Sequence, residues 1–284
     1  MQLFLLEAER AWAYSQELIS LSLKPGNEKR ATALRHSATG RFRRAVNWST
    51  QLLSQCQSLF ASSRLSAENL LQVFVYTLIL NGRFLRYRDD FEDALIQLSV
   101  ARNLLDELVA TAPTSRDQAL STLFSDEIGP EIRYCAHELG RTKAYDVDRI
   151  VNEISSRHRN EIVDQYDMLV DKLKQECGAA SQGEVRKKLG TLIWEGQPVD
   201  VRNPELVDVL LKVQEAEARL NNRDGVVGQA KADPGRKKTK QSSGSGSKKD
   251  IAAFDAILLA LSDAEEVGRK LAEAHQVITH FSSL

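Results

Sequence analysis

The chain has 284 residues, of which 42% are hydrophobic, and its formal net charge is -1. That length can bury a substantial core, so one large or two modest domains are expected. The three cysteines are well separated and lack CxxC spacing, so we expect neither a disulfide framework nor a zinc site. No run of apolar residues reaches the roughly 20 that a membrane span requires.

The N-terminal residues predict an antiparallel pair of helices. A first helix over 2–22 repeats small or apolar side chains at spacings of four and three, which is the period of one helix face: Phe4, Ala8, Ala11, Ser15 and Leu18. A turn at 24–27 ends it, and a second helix over 28–59 carries its own stripe: Leu34, Ala38, Phe42, Ala45, Leu52, Leu53 and Cys56. The apolar opening is interrupted at residues 7, 9 and 10 before it reaches the length of a signal peptide, so we expect a cytosolic protein without membrane insertion.

The next two helices match the packing pattern of a tetratricopeptide repeat. Helix three is predicted from an N-cap at Ser66 to Tyr87, and helix four from Asp89-Asp90 to Ala110. Small and large residues alternate as that repeat requires, because small residues let the helices approach and large ones fill the groove: Gly82, Leu85, Ala94, Leu98 and Ala101. One such match also occurs by chance in helical proteins, and no second copy follows.

Three further helices are predicted to extend the stack. They cover Ser115–Ser125, then Pro130 to Leu139 with Gly140 as the C-terminal cap, and then Tyr145–Glu176. We therefore expect an all-α, tetratricopeptide-like stack of antiparallel helices over residues 1–177.

Beyond Gly178 the composition changes. Apolar runs on either side of 195–198 predict a small β-hairpin near 191–201, followed by a helix from Pro204 to about Leu220. The Gly, Ser, Lys and Asp content of 223–250 is typical of a disordered linker, and the final helix, over about 251–278, carries a further apolar face: Phe254, Ile257, Leu258, Leu261 and Val267. The predicted divisions are thus 1–177, 178–222, 223–250 and 251–284.

Positive charge is concentrated between Lys24 and Arg44. Seven basic residues stand there against the single acid Glu28, an excess of six. At about 100° per residue, Arg30, Arg41 and Arg44 project within an arc of roughly 60°, while Arg43 and Lys29 point further toward solvent. Such a run is often only a solvated helix face. Ordinary surface helices mix both signs, however, so the scarcity of acids favours a ridge that binds the phosphates of a folded RNA.

Other candidates are weaker. The group Arg83, Arg86 and Arg88 is followed directly by four acids, which favours a solvated helix face over RNA contact. Arg133-Tyr134 and His137 could contact a base, but tyrosine and histidine at helical spacing are more often core residues with one polar tip, and the same interpretation is given to the tryptophans: Trp12, Trp48 and Trp194. Basic residues of the linker would add non-specific attraction to a polyanion or keep the linker soluble: Lys231, Arg236, Lys237, Lys238, Lys240, Lys248 and Lys249.

The sequence does not predict an enzyme. The histidines lack metal-ligand spacing with carboxylates or cysteines, and neither GxSxG nor GxxxxGK[ST] occurs. We therefore expect no catalytic residues, no metal and no cofactor.

Three stretches resemble the 68-kDa subunit family of the signal recognition particle. They are LLEAERAWAY from Leu5, RFRRAV from Arg41 and EIGPEIRYCA from Glu127, and WEGQPV from Trp194 is similar to a further family element. Their order and approximate spacing also fit, and the resemblance covers about residues 2–220.

The resemblance implies a tetratricopeptide-like domain that binds the particle's RNA, within a cytoplasmic particle that is assembled in the nucleolus and targets secretory chains to the endoplasmic reticulum. RNA contact is carried onto Arg41, Arg43 and Arg44 of the Arg-rich second helix, and secondarily onto Arg30 and Arg35. Family members also carry an upstream basic segment and a C-terminal region that joins the 72-kDa partner. Neither is matched here, so a shortened member with weaker RNA affinity is expected, and binding to the 72-kDa subunit is left open beside contacts with other particle subunits.

A second hypothesis from a different class stays open. A tetratricopeptide-like adaptor would hold a protein or peptide partner in its helical groove, as the pattern from Gly82 to Ala101 also allows.

Overall fold

The computed structural model describes residues 1–180, 188–227 and 245–281, and it confirms the all-α class. Within these ranges the chain forms nine α-helices and one two-stranded antiparallel sheet. In chain order the elements are α1 Gln2–Leu23, α2 Ala31–Ala61, α3 Ala67–Tyr87, α4 Phe91–Thr111, α5 Ser115–Glu138, α6 Val147–Ile162, α7 Tyr166–Ala180, β1 Leu192–Trp194, β2 Gln197–Val199, α8 Pro204–Val227 and α9 Ser245–Phe281.

The chain divides into two compact units. One comprises Met1–Ala112 with Ser121–Glu184, and the other comprises Pro113–Leu120 with Val185–Leu284. The four-part division at 177, 222 and 250 stays a prediction. Helix continues through 223–227 and begins again at 245, and the remainder of the predicted linker, 228–244, lies outside the described residues.

In the first unit, α1 and α2 form the predicted antiparallel hairpin. Their facing stripes are small: Ala8, Ser15, Ala38 and Ala45 are all fully buried. Small side chains let two helix backbones approach closely, so this contact fixes the spacing between the helices. Gly26 takes a positive φ of 92° in the connecting turn, a conformation that glycine adopts without steric cost.

The α3–α4 pair has the close packing predicted from the repeat pattern. The Ser66 hydroxyl accepts a hydrogen bond from the Asn69 backbone N–H at 3.3 Å, which confirms it as the N-cap of α3. A Cβ atom at Gly82 would lie 2.7 Å from Cγ of Leu98, a residue that is itself fully buried. Glycine is therefore required at this crossing because any side chain would displace a core leucine.

Two helix boundaries were predicted wrongly. The helices expected at Ser115–Ser125 and from Pro130 are one helix, α5, with Pro130 inside it. Ile128 and Ile132 are fully buried on either side of the proline, so core packing offsets the lost backbone hydrogen bond.

The single helix expected over 145–176 is instead divided into α6 and α7. Val163 is extended and fully buried, and Gln165 has a positive φ of 56°. The break lets α7 turn back onto α3, where the Glu176 carboxylate accepts a hydrogen bond from the Ala67 backbone N–H at 2.9 Å. Burial of Val163 stabilises the break, although the flanking residues repeat at helical period.

The second unit contains the predicted hairpin with a shorter turn than expected. Trp194 pairs with Gln197, so the turn is Glu195-Gly196 alone, and both residues have positive φ. Two-residue turns of that kind match the twist of antiparallel strands. The predicted connection, 195–198, was therefore two residues too long, because Gln197 and Pro198 belong to β2. Helices α8 and α9 pack together in this unit, and the predicted apolar face of α9 is left largely exposed at Phe254 and Leu258.

Candidate nucleic-acid interface

The α2 helix contains no acidic residue along its 31 residues. The acid-free stretch runs from Lys29 to Ala67, and it contains seven basic residues: Lys29, Arg30, Arg35, Arg41, Arg43, Arg44 and Arg64. Because both signs of charge are normally mixed on a solvated helix, this segment has an unusually uniform positive charge.

The five predicted arginines, Arg30, Arg35, Arg41, Arg43 and Arg44, are all exposed. Of these, Arg41, Arg43 and Arg44 lie within about one turn of α2, and we call these three the arginine ridge. Arg30 lies about 17 Å from Arg41 along the axis, at the end of a 3₁₀ turn over Glu28–Arg30. Arg35 lies about 9 Å from Arg41 along the axis and is left out of the ridge for that reason, since direction alone does not separate it from Arg43, which projects about 160° from Arg41.

The arginines keep their charge unneutralised. Within the part of the chain that the structure describes, none of these five arginines forms an ion pair with a carboxylate. Glu28, which immediately precedes the acid-free stretch, accepts a hydrogen bond from the Gly26 backbone N–H at 2.9 Å. That bond lowers the pKa of Glu28, and the carboxylate stays ionised in the turn.

Arg41 has a neighbour that the sequence analysis missed. Its guanidinium carbon lies 4.9 Å from the centroid of the Tyr14 ring on α1, a cation–π distance. The pairing could have been found from the hairpin itself, because α1 and α2 are antiparallel about the turn at 24–27. Tyr14 is 43% exposed, so the pair lies at the surface.

Two residues of the second basic group, Arg83 and Arg86, form ion pairs with α5 instead of lying on the solvated helix face predicted for them. Arg83 pairs with Glu127 and with Glu131, both at 2.9 Å, and Arg86 Nε lies 3.4 Å from Glu131 Oε2. The last contact is an ion pair whose atoms are not aligned as a hydrogen bond. Arg88 differs, since its guanidinium carbon lies 5.8 Å from the Phe84 ring, beside the aromatic cluster that packs on α2.

The core interpretation of Tyr134 and His137 was wrong. Both side chains are exposed, as is Arg133, and Tyr134 packs edge-on against Phe91 at a centroid distance of 5.8 Å. The buried face of α5 is formed by neighbours at helical spacing instead: Ile128, Ile132, Cys135 and Ala136.

The tryptophans of the first unit are packed as expected. Trp12 lies against the cluster around Phe42, and the Trp48 ring is 5.7 Å from that of Phe4. The side chain of Trp194 is not among the described parts of the chain. Of the basic residues of the predicted linker, Lys248 and Lys249 lie in α9, and the others lie outside the described residues: Lys231, Arg236, Lys237, Lys238 and Lys240.

Two other kinds of site find no match. Among described residues, no three His, Cys, Asp or Glu side chains are grouped as a metal site would require. No helix in the same ranges combines the length and hydropathy of a membrane span.

The geometry thus presents an acid-free helix with exposed, unpaired arginines on an all-α scaffold. In a comparison with protein families, the family model described as "RNA-binding signal recognition particle 68" matches residues 1–277. The matched range covers the first unit, the second unit as far as residue 277, and every arginine discussed above. The chain belongs to the RNA-binding signal recognition particle 68 family.

Proposed function

We propose that this protein binds the RNA of the signal recognition particle through the arginine ridge, with Arg30 and Arg35 as outlying contacts. The observation that carries the proposal is the unpaired exposure of the ridge on a helix that has no acidic residue. Arginine suits this role because its planar fork can donate two parallel hydrogen bonds to one phosphate.

The ridge favours binding to RNA shape rather than to base sequence. Guanidinium groups fixed on a rigid helix meet phosphates whose spacing depends on how the RNA is folded, and helical RNA is recognised largely through its backbone. Binding releases condensed counterions, so the affinity depends on salt.

In the particle, the protein serves as a structural subunit in the co-translational targeting of secretory proteins to the endoplasmic reticulum. It acts in the cytoplasm after assembly with RNA in the nucleolus, and it carries out no catalysis. Contacts with other particle subunits accompany RNA binding. The family resemblance supports this role.

The adaptor hypothesis is less well supported. The close crossing of Gly82 and Leu98 fits a tetratricopeptide-like scaffold, and such scaffolds commonly hold peptides. However, Arg83 and Arg86 of that helix pair are already bound by acids of α5, so they offer little charge to an acidic peptide.

Charge reversal tests the proposal. The variant in which Arg41, Arg43 and Arg44 are all changed to Glu should not bind particle RNA at moderate salt, while its helical circular dichroism is unchanged. Binding is measured by gel-shift titration against particle RNA and an unrelated structured RNA, with tighter binding expected for the former.

A matched control separates the ridge from net charge. Arg133, Lys143 and Arg149 are exposed, lie outside the acid-free stretch and are free of ion pairs within the described residues, so changing these three to Glu alters the net charge equally. This control should bind nearly as well as the parent. Equal loss in both variants, or unchanged binding in the ridge variant, would contradict the proposal, and a pull-down recovering proteins without RNA would favour the adaptor.

A further inference from the structure

Arg41 is held differently from the other arginines of the ridge. Among described residues, its guanidinium alone of the three lies over an aromatic ring, that of Tyr14 at 4.9 Å. No carboxylate among the described residues forms an ion pair with Arg41. Glu17, one turn along α1 from Tyr14, does not pair with it, and Glu7 is paired with Arg10.

The helix pair fixes the two partners before any RNA arrives. Tyr14 on α1 and Arg41 on α2 flank a seam of buried small residues, with Ser15, Ala38 and Ala45 all fully buried. Since these side chains are short and nearly rigid, the backbone positions of the ring and the arginine are set by packing.

The contact leaves the N–H donors of Arg41 available. The guanidinium has five N–H donors, and an aromatic ring attracts its positive charge without accepting the strong hydrogen bonds that a carboxylate would accept. A carboxylate partner would occupy those donors; a ring does not. Arg41 is therefore oriented and still able to bind a phosphate with two parallel hydrogen bonds.

We propose that Tyr14 is a positioning residue for RNA binding, which holds the Arg41 guanidinium in place while its N–H donors stay available to a phosphate. The inference rests on the proposed function of the ridge. A flexible arginine loses conformational freedom when it binds, and prior orientation on the ring reduces that loss.

Substitutions at Tyr14 distinguish the effect of its aromatic ring from the effect of its size. Tyr14→Phe keeps the aromatic face and should bind particle RNA within about twofold of the parent. Tyr14→Leu keeps an apolar side chain without a π face, and it should weaken binding about two- to fivefold, because Arg41 would then have to be ordered when the RNA binds. Circular dichroism of both full-length variants checks that the helix pair is intact.

A double-mutant cycle tests whether Tyr14 acts through Arg41. In the Arg41→Ala background, Tyr14→Leu should cause no further loss of affinity, because the group that it positions is gone. Independent, multiplying losses would show that the ring contacts RNA by itself and would overturn the inference.

The remaining outcomes distinguish the two proposals. If Arg41→Ala weakens binding but Tyr14→Leu does not, the positioning role is wrong and the ridge stands. If neither Arg41→Ala nor charge reversal of the whole ridge weakens binding, RNA contact at the ridge is refuted and the inference fails with it.

Discussion

Neutral truncation of the ridge should change the salt dependence of RNA binding by a calculable amount. Arg41, Arg43 and Arg44 are exposed and unpaired, so each is free to replace one condensed counterion on the RNA. Three such contacts contribute about 2 to 3 to the slope of log K against log salt, at roughly 0.7–0.9 for each phosphate.

The expected difference is measurable in one titration series. Over a fourfold increase in salt, from about 50 to about 200 mM, the ridge should cost the parent an additional factor of about 20 to 40 in affinity. The variant with Ala at all three positions lacks that factor, so its binding is weaker at low salt but falls less steeply. Filter binding at four salt concentrations gives both slopes. Parallel slopes for parent and variant would refute the phosphate contacts.

Two further predictions concern the scaffold. Gly82→Ala and Gly40→Ala make the same chemical change, but a Cβ at Gly82 meets buried Leu98 and one at Gly40 meets nothing within 4 Å. Their free energies of unfolding should differ by about 1–3 kcal/mol, with Gly82→Ala the less stable, and equal values in denaturant titrations would contradict the packing. Glu176→Ala removes the α7 carboxylate that caps α3 and should lower the free energy of unfolding by about 0.5–2 kcal/mol, whereas an unchanged midpoint would show that the contact is not stabilising.

The helical pairs could be predicted from sequence because their packing residues are local. The stripes of α1 and α2 repeat at helical period, and Ala8, Ala38 and Phe42 are indeed buried. The same holds for the close approach at Gly82, which follows from the spacing of small and large residues within one helix pair.

The wrong boundaries reflect tertiary contacts that no local pattern contains. Pro130 suggested a helix start, but the buried isoleucines at 128 and 132 keep α5 continuous. At Gln165 the chain takes a left-handed conformation without a glycine, and the buried Val163 beside it anchors the break between α6 and α7.

The sequence predicted only part of the candidate site, because the contacts of its arginines also depend on the tertiary fold. An acid-free helix is visible in the sequence, whereas the pairing state of each arginine depends on residues far along the chain. Arg83 finds its acids at Glu127 and Glu131, more than 40 positions away, and Arg41 finds its ring at Tyr14. Charge segregation marks the helix, and the fold determines which guanidinium groups stay free.

Chemical footprinting of arginine tests the central claim most directly. The full chain, free and bound to particle RNA, is treated with an arginine-specific dicarbonyl reagent, and modification at each position is read by mass spectrometry. RNA should protect Arg41, Arg43 and Arg44, while Arg133 and Arg149 react equally in both states. If the ridge arginines react as fast in the complex as in the free protein, they do not contact the RNA.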